Sequence, residues 1–179
     1  MTMLEVFREH KQDVCAAWVE LVLSTYSLDT KGFLRTKNDP FLNPVGDITR
    51  LCAGCLYDAM AGEDIDAAKL KDALERLVKL RAVQIFTASE ALGIFYAFKS
   101  VVRSTLLPLM EKSGLTASYL EAESRIDTLA LMAFDMYAKD REVVLENRVN
   151  EIKNQHAQLL RWAQTVDGSP VGGSGKTKL

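Results

Sequence analysis

"TASYLEAESRIDTLALMAFDMYAKDREVVLENRVNEIKNQHAQLLRWAQ", residues 116 to 164, contains neither proline nor glycine. Those two residues interrupt regular backbone more strongly than any others, so the stretch predicts one long helix from Thr116 to about Gln164. Leu115, Tyr119, Ala122, Ile126, Leu129, Ala133 and Met136 recur at alternating spacings of four and three, the seam of a helix packed along another helix. The pattern slips around Asp140. It resumes in a new register at Leu145, Val149, Ile152, His156, Leu159 and Ala163, which take the heptad labels d, a, d, a, d, a. Valine at a with leucine and isoleucine at d suits a parallel two-stranded coil and predicts a homodimer. With fewer than three heptads, an ordinary amphipathic terminal helix is the alternative reading.

The rest of the chain repeats the helical period. Glycine and proline cluster around residues 32 to 46, around Gly62, and from Gly168 onward, and strand-like alternation is absent. A first helix runs from about Leu4 to Thr25, with Leu4, Phe7, Val14, Cys15, Trp18, Leu21 and Val22 on one stripe. A second begins at Asn43-Pro44: asparagine accepts from free N–H groups of a first turn, and proline loses nothing at the first helical position. It ends near Ala61-Gly62. A third spans about Asp66 to Ile85, and a fourth opens at Thr87, whose spacing from Glu90 is that of a capping box. Pro108 should kink or end that fourth helix. The reading is all-α: a single bundle of about five to six helices over residues 1 to 164, its long last helix coiled-coil-like over about 145 to 163, then a flexible tail over 165 to 179.

Composition narrows function by exclusion. A formal charge of -2 gives no basic footprint for phosphate contacts, so nucleic acid is not an expected partner. No apolar run reaches the roughly 20 residues needed to span a bilayer, and the N-terminus carries charge where a secretory signal is apolar, which predicts a cytoplasmic protein. Three cysteines without an export signal predict reduced thiols rather than a disulfide framework.

Four features could carry chemistry. The tail "GSPVGGSGKTKL" contains GKT, but Pro170 stands where a phosphate loop needs its first glycine. Cys52 and Cys55 form a C-x-x-C pair, which suits a redox or cofactor-binding role. Here, however, the pair lies about two turns inside the second helix, on a stripe with Ile48 and Ala59 that suits packing as small hydrophobes. His10 and His156 lack a second ligand at helical spacing, so neither a metal nor a haem is expected and no cofactor is assigned. In the third helix, the stripe of Leu70, Leu74 and Leu77 extends to Arg81 and Gln84, placing a guanidinium and an amide where leucines belong. Either they pair internally, Arg81 with a carboxylate or with carbonyls freed by the Pro40 to Pro44 loop, or with Asn43 they mark a ligand site or subunit contact. That loop, "DPFLNPVGD" at residues 39 to 47, is expected to lie against the helix carrying them. No nucleophile-base-acid set emerges, so an enzyme is not expected; one built around Arg81 and Gln84 would require a deep polar pocket.

Three segments, "AAWVELVLSTYS" (residues 16 to 27), "FLNPVGD" (41 to 47) and "RAVQIFTASEALGIFYAFKSVVR" (81 to 103), together resemble the RsbRD N-terminal family. It takes its name from the amino-terminal domain of an antagonist protein in bacterial stress-signalling complexes. The resemblance spans roughly residues 14 to 150 and is most specific from Arg81 on. There Ile85 replaces an acidic residue of the family pattern, Ala88 a common proline and Glu90 a glutamine. The resemblance implies an all-helical sensory or regulatory input domain, similar in role to haem-free globin-like domains, often joined by a helix to an output domain such as a kinase. With only a short tail after the long helix, a stand-alone module is expected, acting through a ligand or a signalling partner such as a kinase or an anti-sigma-type regulator.

Overall fold

A computed structural model describes residues 2–26, 43–84 and 86–167. Those residues are all-α, in five helices: α1 (Met3–Ser24), α2 (Pro44–Ala61), α3 (Ala67–Val83), α4 (Ala88–Lys112) and α5 (Thr116–Asp167). The chain divides into two compact units, Met1–Arg141 and Glu142–Leu179, so α5 supplies side chains to both. No described helix is long and apolar enough to cross a membrane.

Caps fix the helix starts. Thr2 and Glu5 close a capping box on α1, and Thr87 and Glu90 close the expected one on α4, each satisfying two otherwise orphaned backbone donors. Asn43 Oδ1 accepts from the Gly46 N–H at 2.8 Å, with Pro44 at the first helical position of α2. Asp66 caps α3 through Ala68 N–H. Helix α2 stops at Gly62, whose φ of 75° is a conformation that side-chain-bearing residues adopt only with strain.

The core of the first unit forms where one stripe from each helix meets the others. Val14, Trp18 and Val22 of α1 are buried with Cys52, Leu56 and Met60 of α2, Leu74 and Leu77 of α3, Phe98 and Val102 of α4, and Tyr119 and Ile126 of α5. Fully burying a side chain of this kind stabilises by about 1.5–3 kcal/mol. Two polar atoms carried into this core are paired: Trp18 Nε1–H donates to the Ile94 carbonyl at 2.6 Å, and the Tyr57 hydroxyl to the Phe7 carbonyl at 2.7 Å. The Trp18 ring also meets Phe98 edge-on at 5.5 Å.

Two expectations need correction. Leu4 is exposed, because the buried face of the first turn is set by Val6 and Phe7 instead. Pro108 does not end α4, which runs on to Lys112. Leu106 and Met110, fully buried on either side of it, hold the helix through the missing N–H by tertiary packing. The segment from Ser27 to Leu42, and with it the Pro40 part of the loop and its expected placement against α3, lies outside the described residues.

Candidate functional site

Arg81 stands in the last turn of α3 and is buried. Its stem continues the stripe of Leu74 and Leu77, so the fold delivers the guanidinium to the place where the end of α1, the end of α3 and the start of α4 meet. There it makes three hydrogen bonds. Nε–H donates to the Ala91 carbonyl at 3.1 Å, Nη2–H to the Glu90 carbonyl at 2.9 Å, and Nη1–H to Thr25 Oγ1 at 3.2 Å. The guanidinium carbon lies 4.1 Å from the Phe86 ring centre and 5.8 Å from that of Tyr26, and these two rings meet edge-on at 5.7 Å. Ring faces carry negative charge density and favour a cation, the more so away from water. Among the described residues no carboxylate forms an ion pair with Arg81. Burial lowers its pKa, while the neighbouring Tyr26 and Glu90 oppose the shift.

Arg81 is thus paired internally, but with main-chain carbonyls of α4 and the C-cap threonine of α1 rather than with the expected carboxylate, and the Pro40 part of the loop lies outside the described residues. Gln84 follows as the C-cap of α3, with Oε1 buried and without a hydrogen-bond partner, as is the Tyr26 hydroxyl. Burial raises the Tyr26 pKa, so that phenol stays protonated. Asn43 serves as the α2 cap, and no hydrogen bond joins it to Arg81 or Gln84.

Helix α5 closes this junction. The Tyr137 hydroxyl donates to the Phe86 carbonyl at 3.3 Å, and Arg141 Nη1–H to the Ala82 carbonyl at 3.1 Å. Arg141 therefore satisfies a last-turn carbonyl of α3 at the end where the helix dipole favours a cation. Arg125 does the same for α2, donating to Met60 O at 2.9 Å from the space a side chain at Gly62 would need.

A second charged cluster joins α4 to α5. Glu123 is buried and receives both Arg103 Nε–H and Nη2–H at 2.7 Å, as well as the Tyr119 hydroxyl at 2.9 Å. The paired guanidinium holds the Glu123 carboxyl below its ordinary value, against the opposing effect of burial. Helical periodicity alone does not single out Glu123 from the other carboxylates of the chain. The signal available was Tyr119 and Glu123 at i and i+4, which places the acid beside the buried seam.

The cysteine pair is core. Cys52 and Cys55 are buried in α2, and desolvation raises both thiol pKa values, the opposite of what a reactive thiolate requires. No group of three or more potential metal-binding side chains exists among the described residues. Three clefts on the described surface, one against α3 and α5, one against α1 and α2 and one against α4 and α5, are lined by residues other than Arg81 and Gln84. The sequence-predicted dimer residues lie on the second unit's helix, where Leu145, Val149, Ile152 and Leu159 are 52, 48, 64 and 63% exposed and His156 is exposed as well.

The chain belongs to the RsbT co-antagonist protein RsbRD N-terminal domain family, whose model matches residues 12–152. That family is one of stress-signalling regulatory domains. No curated protein and no solved structure matches the chain significantly.

Proposed function

We propose that this chain is a non-enzymatic, bacterial, cytoplasmic input module, in the manner of haem-free globin-like domains, that works by binding a ligand or a protein. It pairs as a homodimer through the helix after Leu145. The supporting observation is the apolar series Leu145, Val149, Ile152 and Leu159, each about half exposed or more, recurring at coiled-coil spacing. Such a series left in water on one helix calls for a partner surface. The paired helices then present a signalling protein, of the kinase or anti-sigma-regulator kind, with a two-fold surface. In the parallel register Arg148 (g) and Lys153 (e) face each other across the pair, a like-charge contact that salt screens.

Light scattering coupled to size exclusion tests this on the full chain and on a version truncated after Leu145. A dimer that tightens with added salt and is lost on truncation is expected. A full chain that stays monomeric at high concentration refutes the pairing.

A further inference from the structure

A cleft of about 400 Å³ lies between α1 and α2, and Arg81 is not among the residues that line it. Its wall on α1 is apolar: Cys15, Ala16, Val19 and Leu23. From α2 comes one cation, Arg50, which is only partly exposed and makes no hydrogen bond or ion pair among the described residues. The other two lining side chains, Gln12 and Glu20, are exposed, and Glu20 already has an interaction of its own. The Cys15 thiol, pushed up to about 11 by burial, is uncharged at neutral pH and adds no competing anion to the wall.

We propose that this cleft binds a small amphipathic monocarboxylate, its carboxylate on Arg50 and its hydrocarbon chain along Ala16, Val19 and Leu23. The physical case has three parts. The volume falls in the range of small-molecule sites, roughly 300–1,000 Å³, where apolar walls supply affinity and a few polar groups fix orientation. A guanidinium is weakly hydrated and presents paired N–H groups matching the two oxygens of a carboxylate, so a half-buried one without a partner among the described residues suits such an anion at the end of an apolar wall. A protein partner needs about 800 Å² on each side, far more than this short strip of side chains offers. The site is independent of the proposed dimer, so either can fail without the other.

Isothermal titration of the full chain with sodium octanoate at fixed ionic strength, beside 1-octanol as a neutral probe of equal chain length, tests the proposal. Saturable binding of octanoate is expected, with 1-octanol at least about tenfold weaker, the loss of one charge-assisted contact. Arg50→Gln should weaken octanoate by about tenfold or more while leaving the circular dichroism melt in place, since Arg50 makes no hydrogen bond or ion pair among the described residues. Ala16→Trp, at an exposed position on the cleft wall, should fill the site and abolish saturation; if it misfolds, Arg50→Gln alone decides. The proposal is overturned by an absence of saturable octanoate binding, by equal affinity for 1-octanol, or by unchanged affinity in Arg50→Gln or in a folded Ala16→Trp.

Discussion

Replacing Arg81 by methionine isolates what the buried guanidinium contributes, because methionine keeps most of the stem's volume and flexibility while removing the charge and every donor. Three hydrogen bonds disappear, together with the contact 4.1 Å above Phe86. Bonds to a charged group contribute about 1.5–3 kcal/mol each, and the cation–ring contact on the order of 1–2 kcal/mol. Against this, the desolvation penalty of a buried cation, several kcal/mol, disappears as well. The acceptors are not orphaned. The Glu90 and Ala91 carbonyls sit in α4, where helical geometry supplies N–H donors four residues on, and the Thr25 hydroxyl still donates to the Val22 carbonyl at 2.7 Å. The net loss expected is therefore about 2–3 kcal/mol, a shift of roughly 30- to 150-fold in the folding equilibrium. Arg81→Lys should be worse, at about 3–4 kcal/mol. It leaves a compact, strongly hydrated ammonium buried in a site shaped for a planar fork, without the reach to satisfy oxygens from two helices. Urea unfolding can follow Trp18 alone in a Trp162→Phe background, since the chain has two tryptophans. An Arg81→Met variant within about 0.5 kcal/mol of the parent, or an Arg81→Lys variant more stable than Arg81→Met, would refute the reasoning.

Two further outcomes follow from the buried groups. Glu123 has a lowered folded pKa, first through the Arg103 bonds, so its stabilising contribution is complete above the ordinary carboxylate value near pH ~4.3 and is lost as pH falls through the lowered folded value. Glu123→Gln should flatten the fall in urea midpoint between roughly pH 5 and pH 3, and an acid limb of unchanged steepness would count against the assignment. With all three thiol pKa values raised by desolvation, a disulfide reagent at pH 8 should leave Cys52 and Cys55 unmodified until denaturant is added; rapid native labelling of either would revive a redox role.

What could be read from the sequence was local. The caps at Asn43 and Thr87 were legible because a cap is a short-range contact between a side chain and the turn that follows it. Arg81 stood out because a guanidinium interrupts a leucine stripe, yet its partners did not, since two of them are main-chain carbonyls that leave no mark in the residue code. The same holds for Arg125 and Arg141, which look like ordinary surface cations until the ends of α2 and α3 arrive beside them. Leu4 and Pro108 misled for a common reason: periodicity and propensity describe one helix at a time, whereas packing against other helices chooses the buried face and overrides a missing donor.

Arg125 and Arg141 also set how α5 can move. They grip the ends of two different helices from points about 24 Å apart along the axis, at 1.5 Å per residue. Sliding α5 lengthwise by half a turn, about 2.7 Å, would disturb both hydrogen bonds together, since each guanidinium sits within about 3 Å of its carbonyl. The two contacts therefore make the ends of α2 and α3 share one brace, so that displacing α5 along its axis costs both hydrogen bonds at once rather than one at a time.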